Sequence, residues 1–64
     1  MFDINPTNAA PIWRQIEEGM RRMISLGTLA PGGVVPSVRE LAQQLRVNPN
    51  TVARAYRQLQ DDGV

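Results

Sequence analysis

Apolar residues recur in three blocks along the chain, each at the spacing of one face of an α-helix. In the first, Ile12, Ile16, Met20, Met23 and Ile24 repeat at helical intervals, while Arg14, Gln15, Glu17, Glu18, Arg21, Arg22 and Ser25 fall largely opposite. Pro11 has a fixed φ and no N–H, which predicts that it takes the first helical position. Gly27 predicts the C-terminal cap. Trp13 sits at the edge of the buried face, where it covers either the core or a partner. The methionines read as core filler.

The second block, Val38, Leu41, Ala42 and Leu45, follows Ser37-Val38-Arg39-Glu40. That phrase is a capping box, in which Ser37 and Glu40 each satisfy an orphan backbone donor of the other. The third block, Val52, Ala55, Tyr56 and Leu59, begins after Asn48-Pro49, an N-cap residue followed by a residue suited to the first helical turn. The proline therefore starts a helix rather than interrupting one. Gly63 caps its far end, and Asp61 and Asp62 lie unfavourably against the helix dipole, so the last turn is expected to fray. Between the first two helices, Pro31-Gly32-Gly33 reads as a turn and Val34-Val35 as a short extended segment in need of a partner strand.

Composition narrows the chemistry. At 64 residues the chain supports one small domain, burying only about 60% of the surface its unfolded form exposes. Cysteine, histidine and lysine are all absent. Cys/His metal sites, Schiff-base lysines and Ser-His or Cys-His nucleophile pairs are therefore excluded, and the expectation is no enzyme, no metal and no cofactor. No apolar run approaches the roughly 20 residues of a membrane span, and MFDINPTN lacks the regions of a signal peptide. A cytoplasmic protein without membrane contact is expected.

The net charge of +1 hides an asymmetry. From Ser37 to Gln60, Arg39, Arg46, Arg54 and Arg57 stand against Glu40 alone, a net +3, whereas the remainder sets three arginines against five acids, a net −2. A basic stretch in an otherwise nearly neutral domain suits a phosphate-binding face, although solvated arginines on an ordinary helix explain it equally well.

Two short helices of like pattern joined by Arg46, Val47 and Asn48 must cross steeply, which is the layout of a helix-turn-helix. Val47 is expected to anchor the turn in the core. The second of the pair then presents Asn50, Ala53, Arg54 and Arg57 on one face, opposite its apolar stripe, where asparagine suits adenine and arginine suits guanine. Its N-terminus is expected to offer unpaired backbone N–H groups and a positive dipole end, with Thr51 and Ser37 hydroxyls adding donors for phosphate. Each residue also has a plain role: Asn48 as a cap, Thr51 folded back on Asn48, Arg57 paired with Asp61. Arg39, exposed on the second helix beside that face, reads as a backbone-phosphate contact.

The phrases PIWRQI, LAPGGVVPSVRELAQQL and VNPNTVARAYRQLQDDG resemble the N-terminal DNA-binding domain of the GntR family of bacterial transcription regulators, from Pro11 to Val64. Within that family they are most similar to the small YtrA-like subfamily. The resemblance implies a mainly α, three-helix winged helix-turn-helix with a short β segment. It implies a dimeric repressor on a palindromic operator in double-stranded DNA, with a small-molecule effector bound by a separate C-terminal domain. The family's DNA contacts, carried over by position, fall on Arg39, Asn48, Pro49, Asn50 and Thr51; Ser37, Arg54 and Arg57 are added on their own chemistry. Many members have arginine where Ala53 stands, so Arg54 is expected to take over part of that readout. Glycine is frequent where Arg46 stands, and a left-handed Arg46 would cost about 1 kcal/mol.

These expectations place an N-terminal extended segment at residues 1–10 and the domain at 11–64, with the helix-turn-helix motif at about 38–57. The chain stops where the family continues into its wing, so the wing strands are expected to be absent from it and the domain incomplete at its C-terminus. Two alternatives stay open. One is the DNA reader of a MocR-like regulator fused to a pyridoxal phosphate-binding, aminotransferase-like domain. The other is a helical protein-interaction module without DNA binding.

Overall fold

The computed structural model describes residues 2–27 and 35–63. It contains three helices in that range, α1 (Ile12–Ser25), α2 (Val38–Leu45) and α3 (Pro49–Asp61), and no strand among the described residues. Val35 lies outside any strand and is exposed. The expected Pro31-Gly32-Gly33 turn and Val34 lie outside the described residues.

The helices form where the apolar spacing places them, because each has one face to bury. Ile16 and Met20 of α1, Leu41 and Ala42 of α2, and Val52, Ala55 and Leu59 of α3 make one buried cluster. Ile12, Trp13, Val38, Leu45, Val47 and Tyr56 pack around it. Val47 thus anchors the turn between α2 and α3 as its position demands. Of the three helices, α3 is the one that contacts both others.

Helix ends show the local chemistry. Ser37 caps α2 with the full reciprocal box, its Oγ accepting from Glu40 N at 3.0 Å and Glu40 Oε1 accepting from Ser37 N at 3.2 Å. Asn48 caps α3, its Oδ1 accepting from Asn50 N at 2.8 Å. Pro11 departs from expectation by one residue. Its ψ of 153° is extended, so it is the N-cap of α1 rather than its first helical residue, and its carbonyl accepts from both Arg14 and Gln15. Gly27, at φ +79°, follows the end of α1 as the glycine signal predicts.

The end of α3 has a tertiary contact. Asp62, which lies unfavourably against the helix dipole, pairs with Arg21 of α1 and accepts from Gln58 Nε2 at 3.2 Å. An exposed ion pair of this kind is worth about 0–1 kcal/mol, the same order as the dipole term it opposes. The dipole contribution is only about 0.3–1 kcal/mol at an exposed site.

Residues 2–10 are tied to α1 and the core. Phe2 and Ile4 pack against the core cluster, and a turn closes with Asn8 N donating to Asn5 O at 3.1 Å. The Gln15 amide clamps this segment to α1: its Oε1 accepts from Asn5 N at 2.8 Å, and its Nε2 donates to Asn5 O at 2.9 Å and Ala10 O at 3.0 Å. Gly19 makes the docking possible, because a Cβ there would lie 2.6 Å from the Phe2 ring.

Arg46 ends α2 at φ 58°, ψ 48°, in the left-handed region. Relief of that strain exceeds the extra unfolded-state entropy of glycine, so Arg46→Gly should stabilise the domain by about 0.5–1 kcal/mol. A higher urea midpoint at unchanged slope would show it; a lower midpoint would mean that the Arg46 side chain contributes more than its backbone costs. For the notch at Gly19, helix propensity favours Gly19→Ala by about 1 kcal/mol, which should appear in full only when Phe2→Ala has emptied the notch. Equal effects in the presence and absence of the Phe2 ring would disprove the close packing.

Candidate nucleic-acid interface

The side of α3 turned away from the core carries Pro49, Asn50, Arg54 and Arg57, all exposed, with Thr51 and Ala53 half-buried beside them. This follows from the 3.6-residue period: burying Val52, Ala55 and Leu59 turns these positions outward. Ser37 and Arg39 are exposed at the start of α2, and Asn48 at the start of α3. The structure thus leaves Ser37, Arg39, Asn48, Pro49, Asn50, Arg54 and Arg57 accessible, and Thr51 partly so.

Hydrogen bonding refines what each can do. The first turn of α3 has no backbone donor to spare, contrary to the expectation from sequence. Pro49 has no N–H, Asn50 N is taken by Asn48 Oδ1, and Thr51 N and Val52 N both donate to Asn48 O at 3.0 and 3.3 Å. The cap is too well made to leave any free. What remains is the dipole end, the Asn48 Nδ2 donors, the Asn50 side chain and the Thr51 hydroxyl. Free backbone donors occur instead on α2, where Val38 N and Arg39 N have no acceptor among the described residues. The Ser37 oxygen is engaged as an acceptor, while its O–H stays available to donate.

Three exposed arginines of α2 and α3 are unpaired. Among the described residues the ion pairs are those of Arg21 with Glu17 and Asp62, so Arg39, Arg54 and Arg57 carry no salt bridge. The pairing of Arg57 with Asp61 considered from sequence does not form. Unpaired guanidinium groups on one helix pair suit phosphates and guanine edges.

Trp13, half-buried on α1, lies beneath the Arg54 guanidinium, whose Cζ is 4.4 Å from the indole centroid. Arg14 Cζ lies 5.3 Å from the same ring. An aromatic at the rim of the α1 stripe was the only signal, and it could not say which helix it would meet.

Tyr56 links α3 to the start of α2. Its hydroxyl donates to Pro36 O at 2.6 Å, directly before the Ser37 cap. Burial first, and the Glu40 carboxylate second, push its pKa above the ordinary value.

Residues 13–64 match the family described as "Bacterial regulatory proteins, gntR family". The chain is 42% identical to the HTH-type transcriptional repressor YtrA of Bacillus subtilis, over all of this chain and 49% of that protein. It is 40% identical to the pyridoxine biosynthesis transcriptional regulator PdxR of Corynebacterium glutamicum, over 94% of this chain and 13% of that protein. Among solved structures, YtrA from Sulfolobus acidocaldarius, a GntR-family transcription factor, superposes with a TM-score of 0.91 at 42% identity, covering 97% of this chain and 53% of that one. The chain therefore spans about half the length of the YtrA proteins it matches.

The Tyr56 contact yields an alkaline prediction. A hydroxyl whose folded pKa is raised contributes stability that is complete below about pH 10 and is lost as pH rises through the folded value. The chain has one tyrosine, no cysteine and no lysine, so Tyr56 is the only side chain that titrates between about pH 9 and 12. Tyr56→Phe should cost about 0.5–1.5 kcal/mol at neutral pH and abolish the fall in urea midpoint on that limb. Persistence of the full alkaline fall in the variant would refute the assignment.

Proposed function

Because this chain belongs to the gntR family of bacterial regulatory proteins, we propose that it is the DNA-reading domain of a transcription regulator, binding a specific sequence in double-stranded DNA through α3. The observation that carries this is the pairing of a helix-turn-helix with a set of exposed, unpaired arginines on its outer side. Asn50 and Arg54 meet base edges in the major groove, while Arg39, Arg57, Ser37, Asn48 and Thr51 hold phosphates. The free N–H groups at Val38 and Arg39 support α2 as a backbone anchor. The regulator acts as a homodimer on a palindromic operator, as a repressor in the cytoplasm, and has no catalytic role. Dimerisation and control by a small molecule belong to a further domain, since the YtrA relative is about twice as long as this chain. No helix among the described residues is long and apolar enough to cross a membrane.

A second reading shares the reader and changes what it is attached to. The similarity to PdxR, of which the chain spans 13%, supports a MocR-like protein in which a pyridoxal phosphate-binding, aminotransferase-like domain follows. In both readings this chain performs the same task. The helical protein-interaction module is disfavoured by the unpaired arginines.

Selection from a random duplex library, followed by affinity measurement across salt concentrations, tests the proposal. The selected duplex should bind more tightly than an unrelated one, with log affinity falling linearly with log salt. Arg39→Ala should weaken all duplexes alike and reduce the salt slope by about 1. Binding that is indifferent to both salt and sequence would rule out the DNA-reading role in favour of a protein-interaction module.

A further inference from the structure

The Arg54 guanidinium on α3 lies over the Trp13 indole of α1, at 4.4 Å from Cζ to ring centroid, and we propose that Trp13 is a positioning residue for base reading. It holds Arg54 pre-ordered with its N–H edge toward the groove. This inference rests on the reading that α3 meets duplex DNA, and it extends the reading surface to a helix outside the helix-turn-helix.

Three observations carry it. First, the platform is packed: Trp13 is half-buried against the core cluster that includes Ile16, Met20 and Val52. Second, Arg54 has no competing anchor. It is exposed and makes no hydrogen bond or salt bridge through its side chain among the described residues, so the indole is what orients it. Third, the geometry leaves the reading groups free. Tryptophan is the best of the aromatic faces for a cation, and 4.4 Å is well within the range of that attraction. A stacked guanidinium keeps its five N–H donors in the plane of the fork, and bidentate contact with guanine N7 and O6 uses that edge and not the face.

The consequence is a division of roles. An unanchored arginine must lose its rotamer freedom on meeting DNA, whereas a stacked one has already lost much of it. Trp13 therefore sharpens discrimination at the base pair read by Arg54 and has little effect at the others. Ala53 adds to the need, because no side chain at that position is long enough to reach a base edge in place of Arg54. Arg14 lies farther from the ring, at 5.3 Å, and serves as an internal control.

Trp13 is the sole tryptophan, so its emission reports the stack directly. In the whole chain without DNA, Arg54→Ala should shift that emission to longer wavelength by uncovering the ring, with a smaller change for Arg14→Ala. An emission unaltered by Arg54→Ala overturns the stack. With the selected duplex and its single-base-pair variants, Arg54→Ala should reduce discrimination at one base pair by roughly 10-fold. Trp13→Leu should flatten the same base pair and leave the profile elsewhere intact, while Trp13→Phe, which retains an aromatic face, should restore most of it. The double variant Trp13→Leu, Arg54→Ala should be no flatter than Arg54→Ala alone, because both changes remove one function. If Trp13→Leu and Trp13→Phe weaken every duplex equally and leave the base-pair profile unchanged, Trp13 is structural and the proposal fails. A wild-type chain that prefers no duplex removes the DNA-reading role and this proposal together. A sharp wild-type preference untouched by both Trp13 variants removes the positioning role alone.

Discussion

The structure depends on α3 serving two partners at once. Val52, Ala55 and Leu59 supply the buried face that closes the core against α1 and α2, so the helix can present only its remaining side to solvent. In so small a chain there is no second hydrophobic core on which to mount a separate binding element. The face proposed to read DNA is therefore the reverse side of the helix that holds the fold together. Stability and recognition are coupled by the period of a single α-helix.

Around α3, polar contacts do what the small core cannot. Arg21 with Asp62 ties the end of α3 to α1, Tyr56 ties its middle to the backbone before α2, and the Trp13 indole meets Arg54 near its outer edge. These contacts are long-range in sequence, and each joins α3 to a residue outside it. The Gln15 clamp and the Phe2 notch at Gly19 do the same for the N-terminal segment. That segment adds apolar cover to α1, the helix that carries Trp13.

The helix N-termini illustrate how a favourable local motif alters function. Asn48-Pro49 is so complete a start that it consumes the first-turn donors of α3. The free backbone donors that a helix N-terminus usually offers are found instead on α2, at Val38 and Arg39. Under the proposed function the backbone anchor therefore lies one helix back from the reader, in keeping with the role of the first helix of a helix-turn-helix on DNA.

Much of this was legible along the chain because it is local. The apolar spacing places α1, α2 and α3; Ser37-Glu40 and Asn48-Pro49 mark two starts, and glycine marks the close of α1 and of α3. Those signals act over three or four residues, the reach of helical hydrogen bonding, so no knowledge of the rest of the molecule is required. The outward positions of Asn50, Arg54 and Arg57 follow from the same period. What the tertiary structure decided are contacts between residues far apart in sequence. Asp62 was legible as an acid at the wrong end of the helix dipole, but its meeting with Arg21 of α1 was not. Residues 1–10 were legible as an extended segment, but the filling of the notch at Gly19 by Phe2 was not. Arg54 was legible as an exposed arginine and Trp13 as an aromatic at a helix rim, but a one-dimensional pattern contains no distance between helices. Only the packing of α1 against α3 brings that guanidinium over that indole.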